Sequence, residues 1–229
     1  MSIKVKRFIE PETSTHTYLL YTESKQAVII DSVSSQVSNY IDYLKVNNLD
    51  LLYSIDTHVH ADHVTGAASL REQTNCKIAI GEHADVKNAD VLLSDGDLLR
   101  LVNYEIKTIY TPGHTIESCC YLVADKLFTG DTLFINGCGR TDFQHGSSKE
   151  LYHSIFKKLL TLPDDTLVYP GHDYKKRTVS TIAEEQINNP RLQVANEEEF
   201  SDVMNNLNLP NPKYIGIALP RNKLCGQKD

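Results

Sequence analysis

The chain lacks the long apolar segments that are typical of membrane proteins and of exported proteins. It has no tryptophan, and none of its apolar runs is long enough to span a bilayer. Its first residues, MSIKVKRFIE, lack the apolar core of a cleavable signal peptide, so we expect neither export nor a membrane partner. These absences favour a cytoplasmic location, or the mitochondrial matrix if a transit peptide has been removed.

Positive charge is also in deficit. The chain carries 23 Lys and Arg residues against 30 Asp and Glu residues, which gives a formal net charge of −7. A protein that binds a phosphate backbone needs the opposite sign, so nucleic acid is not expected as a partner. The five cysteines are odd in number, and the neighbours Cys119 and Cys120 would point to opposite faces of a strand. The sequence therefore does not indicate a disulfide framework, and a reducing compartment is expected.

What is present is the composition of an ordinary globular protein. An apolar share of 41% and a charged share of 23% support a sizeable core, and we expect a single domain over residues 1–229. Two sets of short β-branched and aromatic runs predict two groups of strands, and each group leads into loops rich in His and Asp and then into a helix. This order predicts the α/β class, as a four-layer αββα sandwich.

Helical spacing of apolar residues predicts three helices before the C-terminal region. The tail, residues 188–229, is expected to contain a fourth helix. After that helix, the segment LPNPKYIGIALP is expected to be extended and to pack back on the domain. The predicted helices are Val37 to Val46, His63 to Gln73, Ser148 to Leu160 and Glu197 to Leu207.

Potential metal ligands are densest at the end of the strand LLYSID. There, THVHADH places four of them within six residues. On extended backbone, His58 and His60 face the same way, while Asp62 and His63 turn towards a neighbouring position. Imidazole and carboxylate groups suit Zn or Fe, so this segment predicts a metal site.

Three more candidate ligands follow strands later in the chain. They are His114 in TPGHT, Asp131 in TGDT and His172 in YPGHDY, and each directly follows a glycine that would let the backbone turn sharply. A lone histidine is more often structural than a ligand, and Asp62 alone would more often cap a helix. The ordered set outweighs that interpretation. The four histidines outside it are interpreted as structural or exposed: His16, His83, His145 and His153.

The HxHxDH segment followed by His, Asp and His resembles the signature of the metallo-β-lactamase superfamily. Within it, GCGRTDFQ (137–144), YPGHDY (169–174) and the tail NLNLP…LCG are similar to the persulfide dioxygenases of the ethylmalonic encephalopathy protein family, which are related to glyoxalase II. The resemblance implies an enzyme that oxidises glutathione persulfide with O2 to sulfite and glutathione at one non-haem Fe(II). It also suggests a homodimer.

Transferred to this sequence, the family's iron ligands fall on His58, His114 and Asp131. Such a triad leaves coordination positions for O2 and for the substrate sulfur. The remaining candidates then orient the ligands or represent the remnant of a second metal site. All seven ligand positions of a two-metal hydrolase are present, so spacing alone leaves the second site open. The remaining candidates are His60, Asp62, His63 and His172.

Several residues are candidates for contact with substrate or for support of the site. Tyr174 resembles the glutathione-contacting tyrosine of glyoxalase II, and a packed loop aromatic is the alternative. Arg140 could pair with a glutathione carboxylate, but an ion pair with Asp142 that holds the loop is favoured. Asp173 is expected to support its own loop. Cys225 matches a cysteine of the family's tail and is a candidate reactive thiol, although the inert interpretation is favoured.

Two alternatives to the dioxygenase remain. The first is a glyoxalase II-type hydroxyacylglutathione hydrolase with two metal ions that activate water. The single helix expected after Pro190 argues against it, because glyoxalase II has a helical C-terminal extension. The second is a metal-binding protein without catalysis, and the complete ligand set argues against that.

Overall fold

Two six-stranded sheets form the framework of the computed structural model, which describes residues 3–175 and 177–227. The strands are β1 Lys4–Glu10, β2 Thr15–Tyr21, β3 Gln26–Ile30, β4 Asp50–Ile55, β5 Lys77–Gly81, β6 Val91–Leu93, β7 Leu98–Leu101, β8 Tyr104–Tyr110, β9 Cys119–Val123, β10 Lys126–Gly130, β11 Leu167–Pro170 and β12 Ser180–Thr181. The α-helices are α1 Val37–Asn47, α2 Ala67–Thr74, α3 Ser148–Tyr152, α4 Ile182–Asn188, α5 Glu197–Asn205 and α6 Ile215–Asn222. Within the described residues, no helix has the length and apolar character needed to cross a membrane.

The described residues divide into two compact units. The first contains the residues up to Leu93, then Leu98–Ile106, and those from Asn211 onwards. The second contains Ser94–Asp97 and Lys107–Pro210. The expectation of a single domain over residues 1–229 with a packed tail stays a prediction.

The first unit is built on the sheet β1-β2-β3-β4-β5-β6. Its first three strands pair antiparallel, as the predicted meander requires, and β3 to β6 pair parallel. Ile30 lies opposite Ile55 at the carboxyl ends of β3 and β4. The residues that follow these strands, Asp31 and Asp56, are therefore delivered to the same edge of the sheet.

Helix α1 confirms the helical spacing seen in the sequence. Four buried side chains, at intervals of three and four residues, form its inner face and pack with apolar residues of β2, β3 and β4. The helix ends at Asn48, whose φ of 53° is left-handed and whose N–H bonds to the carbonyl of Leu44. The buried side chains are Val37, Tyr40, Ile41 and Leu44.

The second unit has its own apolar core, around Leu127, Val168 and Phe200. Its strand β10 pairs antiparallel with β9 and parallel with β11. Helix α3 begins after Ser147, whose hydroxyl accepts a hydrogen bond from the N–H of Glu150. A π-helical stretch from residue 153 to 158 and a 3₁₀ turn from 159 to 161 continue it, so the predicted segment is helical but irregular.

The helix predicted from His63 begins only at Ala67, so its predicted start is wrong. The preceding backbone is bonded elsewhere: the Gly66 N–H donates to the Ser32 carbonyl at 2.9 Å, and the Val64 carbonyl accepts from Ser34. These bonds hold the backbone out of the helix. The residue that caps α2 is Gly66, so Asp62 does not cap this helix, in agreement with the rejection of that interpretation.

The tail corrects a second prediction. Helix α5 lies where a helix was expected, and the Asn196 side chain caps it by accepting from the Glu199 N–H. The segment predicted as extended instead contains α6, although Pro220 lies inside that helix. Ala218 and Asn222, four residues apart, are both buried, so contacts with the rest of the first unit outweigh the low helix propensity of proline.

Candidate metal centre

The segment that follows β4, residues 57–66, is here called the histidine loop. Its imidazoles at His58, His60 and His63 are all buried. The ring centres of His58 and His60 are 4.1 Å apart, and those of His60 and His63 are 4.2 Å apart. The loop therefore brings three imidazoles, each a potential metal ligand, together within the first unit.

Asp31 organises this loop from the neighbouring strand. Its carboxylate accepts from the Thr57 N–H at 2.7 Å and from the Thr57 hydroxyl at 2.9 Å. The Thr57 hydroxyl already donates its one hydrogen to Asp31. In the 3.0 Å contact between Thr57 Oγ1 and His58 Nδ1, the imidazole N–H is therefore the donor. The relay from Asp31 through Thr57 thus leaves the lone pair of His58 on Nε2, the atom a metal would bind.

Asp31 also contacts His60, with 3.2 Å between its Oδ1 and His60 Nε2. Burial by itself lowers the pKa of His60, but the carboxylate of Asp31 outweighs burial and raises that pKa to about 9. Burial raises the pKa of the adjacent Asp56, which accepts from the Thr65 hydroxyl, to about 7. The two buried carboxyl groups therefore favour a positive charge at this edge of the sheet. Either a proton on His60 or a bound cation can supply that charge.

The second ring nitrogen of His60, Nδ1, favours a bound cation over a proton as the source of this charge. Nδ1 is buried and has no hydrogen-bond partner among residues 3–175 and 177–227. A buried polar atom left this way costs about 1–3 kcal/mol unless a ligand satisfies it. His60, Asp62 and His63 offer ligand atoms that all lie within 4.8 Å of one another. The donor set and the unsatisfied nitrogen both fit a bound metal ion.

The second unit holds a matching group around Asp131. His114 Nδ1 lies 2.8 Å from the Arg140 carbonyl, which can only accept, so Nδ1 donates and the lone pair of His114 is left on Nε2. That Nε2 lies 3.6 Å from Asp131 Oδ2. The other oxygen of Asp131 lies 2.8 Å from His172 Nδ1. One carboxylate thus connects two imidazoles.

The glycines that precede the ligands have the geometry the sequence predicted. Gly113 and Gly130 have φ values of 138° and 48°, in the region that favours glycine. Gly171 is required for a different reason. A Cβ atom there would lie 2.7 Å from Asp131 Oδ1. Only a residue without a side chain leaves room for this carboxylate.

Comparison with known proteins adds a family to this geometry. The sequence model of the metallo-beta-lactamase superfamily matches residues 11–172. "Persulfide dioxygenase ETHE1, mitochondrial" from Mus musculus is 44% identical over 228 residues, which are 98% of this chain and 89% of the relative. The crystal structure of ETHE1 from Myxococcus xanthus matches with a TM-score of 0.95 and 45% identity, over 98% of this chain and all of that one. The chain belongs to the persulfide dioxygenase family of the metallo-β-lactamase superfamily.

Family membership confirms the predicted fold class and the predicted subgroup. A hydroxyacylglutathione hydrolase from Pseudoalteromonas translucida is more distant, at 33% identity over 89% of this chain and 77% of the relative. The hydrolase alternative is therefore not favoured over the persulfide dioxygenase family.

The two candidate substrate contacts, Arg140 and Tyr174, lie in separate loops of the second unit. Arg140 donates to both carboxylate oxygens of Asp142, at 2.6 and 2.7 Å, and to the Pro210 carbonyl at 2.6 Å. Its fork of donors is thus largely occupied within the second unit. Tyr174 is 74% exposed, and its ring stacks on His172 with 6.1 Å between centres and 11° between planes.

Asp173 supports the loop that carries His172 and Tyr174. It accepts from the N–H groups of Lys175 and Arg177 at 2.9 and 2.7 Å, and from the Arg177 guanidinium at 2.6 Å. The pattern closes a tight turn directly after the imidazole. The position of His172 is therefore fixed from its C-terminal side.

The candidate thiol has the environment of an inert group. Cys225 is buried, and its Sγ donates to the Lys87 carbonyl at 3.2 Å. Burial raises the pKa of the Cys225 thiol to about 12, so the reactive thiolate is scarce at neutral pH. All five cysteines of the chain are free and buried.

The histidines left out of the predicted site also lie outside the metal-ligand clusters. His16 is buried beside the Tyr18 hydroxyl at 3.2 Å, and His153 pairs with Glu197 at 2.9 Å. His83 and His145 are both exposed. The structural or exposed interpretation of these four residues agrees with their environments.

Sequence reasoning missed the residues that hold the ligands. Asp31 and Asp56 could have been predicted from the sequence, because each directly follows an apolar strand, and these two strands pair parallel. Thr57 had a weaker sequence signal, namely a hydroxyl group next to a candidate ligand. Asn222 carried none, since it lies 157 residues after Thr65, the backbone group it binds.

We predict that Gly171→Ala weakens metal binding by about 10- to 100-fold, because the added Cβ displaces the Asp131 carboxylate. Anaerobic titration with Fe(II) measures the affinity. Gly216→Ala is the control, since a Cβ there meets nothing within 4 Å. Equal affinity in both variants would show that the approach of Gly171 to Asp131 has no role in metal binding.

Proposed function

We propose that this protein is a persulfide dioxygenase that oxidises the terminal sulfur of glutathione persulfide with O2. The observation that carries the proposal is its 44% identity, over 98% of its length, with a mouse protein named for that activity. Similarity of this extent includes every candidate ligand segment from the histidine loop to Asp173. It therefore supports a shared chemistry as well as a shared core.

In this proposal one Fe(II) per chain is held by His58, His114 and Asp131. Two imidazoles and one carboxylate form the ligand set of non-haem iron oxygenases, with positions left for dioxygen and substrate. Both imidazoles have their Nδ1 proton committed, His58 to Thr57 and His114 to the Arg140 carbonyl. This orientation supports the assignment, because it presents Nε2 of each ring for coordination.

The other four candidates take supporting roles. His172 fixes the Asp131 carboxylate at 2.8 Å, so that one oxygen is oriented while the other is presented to the metal. His60 is fixed by Asp31, and Asp62 accepts from the Thr15 hydroxyl at 3.2 Å. We assign His60, Asp62, His63 and His172 to orientation of the centre, as the remnant of a second metal site.

The proposed reaction is balanced by one water molecule. The persulfide anion, dioxygen and water give glutathione, sulfite and a proton. The sulfur–sulfur bond breaks, the outer sulfur is oxidised to sulfite, and dioxygen takes up the electrons. Bound Fe(II) supplies the one-electron chemistry that lets dioxygen react with a closed-shell sulfur. The protein's part is to orient the ligands and to place the substrate beside them.

Substrate placement is assigned to Tyr174, with a lesser role for Arg140. Tyr174 is largely exposed, and we assign its hydroxyl to donate to a glutathione carboxylate while its ring remains stacked on His172. Arg140 has its guanidinium bonded to Asp142, so its main role here is to fix the loop. Asp142 and Asp173 are assigned to loop support.

The hydrolase alternative keeps one observation in its favour. The close ligand atoms of His60, Asp62 and His63 are those that a second metal ion would use. The tail no longer separates the two functions as expected, because two helices, α5 and α6, follow Pro190 rather than one. The stronger similarity to persulfide dioxygenases decides between them. A homodimer and a cytoplasmic or mitochondrial location stay predictions.

We predict that His58→Ala and Asp131→Ala lose bound iron and lose sulfite formation from glutathione persulfide by at least about 100-fold. Their circular dichroism should remain native, because the core is formed by the strands. Elemental analysis after anaerobic purification and a sulfite assay measure both effects. His153→Ala is the control, since it removes only an exposed pair with Glu197. Full iron content in Asp131→Ala would overturn the ligand assignment.

We predict that Tyr174→Phe raises KM for glutathione persulfide by about 2- to 10-fold, the effect of one lost hydrogen bond. Iron content and kcat should stay unchanged. Tyr174→Leu, which also removes the ring, should raise KM further. Steady-state oxygen uptake measures all three proteins. An unaltered KM in both variants would assign Tyr174 to loop packing.

A further inference from the structure

Asn222, the last residue of α6, connects the C-terminal segment to the histidine loop. Its side chain is buried, and it binds three backbone groups of that loop. Nδ2 donates to the carbonyls of His60 and His63, both at 2.8 Å. Oδ1 accepts from the Thr65 N–H at 2.9 Å. Every hydrogen-bonding group of one planar carboxamide is thus directed at one short stretch of backbone.

The histidine loop needs such a partner. It lies between β4 and α2, so its backbone groups have no regular ladder to join, and buried backbone groups must be paired. The two carbonyls bound by Asn222 bracket the segment that carries Asp62. A rigid amide that spans both carbonyls sets the distance between them, and with it the direction of the side chains on either side.

We propose that Asn222 is a positioning residue of the metal centre. It acts on the backbone of the histidine loop, and so directs the imidazoles of His60 and His63 and positions the loop that carries His58, the proposed iron ligand. The proposal rests on the metal-binding role of this loop given under the proposed function, and it does not depend on which reaction the metal serves.

The end of α6 is itself bonded to other parts of the first unit, and these bonds fix the position of Asn222. The Cys225 carbonyl accepts from the Ala68 N–H at 3.1 Å, and the Lys223 carbonyl accepts from the Lys87 N–H at 2.7 Å. Gly226 has a φ of 83°, and a Cβ there would lie 2.3 Å from the Thr65 carbonyl. Glycine at this position lets the tail approach the loop closely enough for the Asn222 bonds to form.

A second anchor completes the argument. Asp31 holds the loop from its side-chain face, through Thr57 and through His60 Nε2. Asn222 holds the carbonyl of the same His60 from the backbone face. Its backbone and one ring nitrogen are both fixed, and in this orientation Nδ1 has no hydrogen-bond partner among the described residues. Loss of either anchor should therefore misplace this nitrogen.

Asn222→Asp tests the proposal with almost no change of shape. One oxygen can still accept from Thr65, but the other would face the carbonyl oxygens of His60 and His63, and repulsion would move the loop. We expect Fe(II) affinity to fall by about 10- to 100-fold. We also expect the electron paramagnetic resonance spectrum of the iron–nitric oxide adduct to change, because that spectrum reports ligand geometry.

Ile78→Ala is the matched control for lost stability. Ile78 is buried in the first unit and packs with Ala67 and Cys225, so truncation weakens the same region without removing a bond to the loop. It should keep the wild-type affinity and spectrum. If Asn222→Asp does not fold, Asn222→Ala, which leaves space for water, takes its place with the same expected direction.

Two results would overturn the proposal. One is wild-type Fe(II) affinity and an unchanged spectrum in the Asn222 variant. The other is an equal loss of affinity in Ile78→Ala, which would reduce the effect to general stability. Fe(II) affinity and the electron paramagnetic resonance spectrum report binding and geometry, not catalysis. A protein that bound iron but did not oxidise persulfide would contradict the proposed function, and the test of Asn222 would still be valid.

Discussion

A buried loop that belongs to no helix or strand must be held by side chains, and the histidine loop shows how this chain does so. Asp31 binds its start through Thr57 and its middle through His60. Asn222 binds the backbone of the same middle and end. Because both anchors come from the first unit, the imidazoles are oriented by the protein before any metal binds.

The same anchors set the electrostatics of the site. Asp31 and Asp56 follow two adjacent parallel strands, so the sheet itself brings two carboxylates to one buried edge. Burial raises the pKa of Asp56 to about 7, and Asp31 raises the pKa of His60 to about 9. A bound cation would supply the positive charge that this edge favours. Metal affinity is thus linked to strand order as well as to the ligands.

The sequence predicted what depends on local pattern. The spacing of Val37, Tyr40 and Leu44 identified α1, and the density of ligand types in THVHADH identified the site. Local pattern failed where tertiary contacts decide. Helix α6 forms despite Pro220 because one of its faces is buried, and α2 starts late because its predicted first turn is bonded to Ser32, Ser34 and Asn222.

The choice between oxidation and hydrolysis also lies beyond local pattern, since one set of ligand residues serves both. The measurement that decides it is the dioxygen consumed per sulfite formed, made on anaerobically purified protein of known metal content. Our account predicts one iron ion per chain and one dioxygen molecule per sulfite, with no hydrolysis of lactoylglutathione. Two zinc ions per chain, thioester hydrolysis and no dioxygen uptake would contradict it.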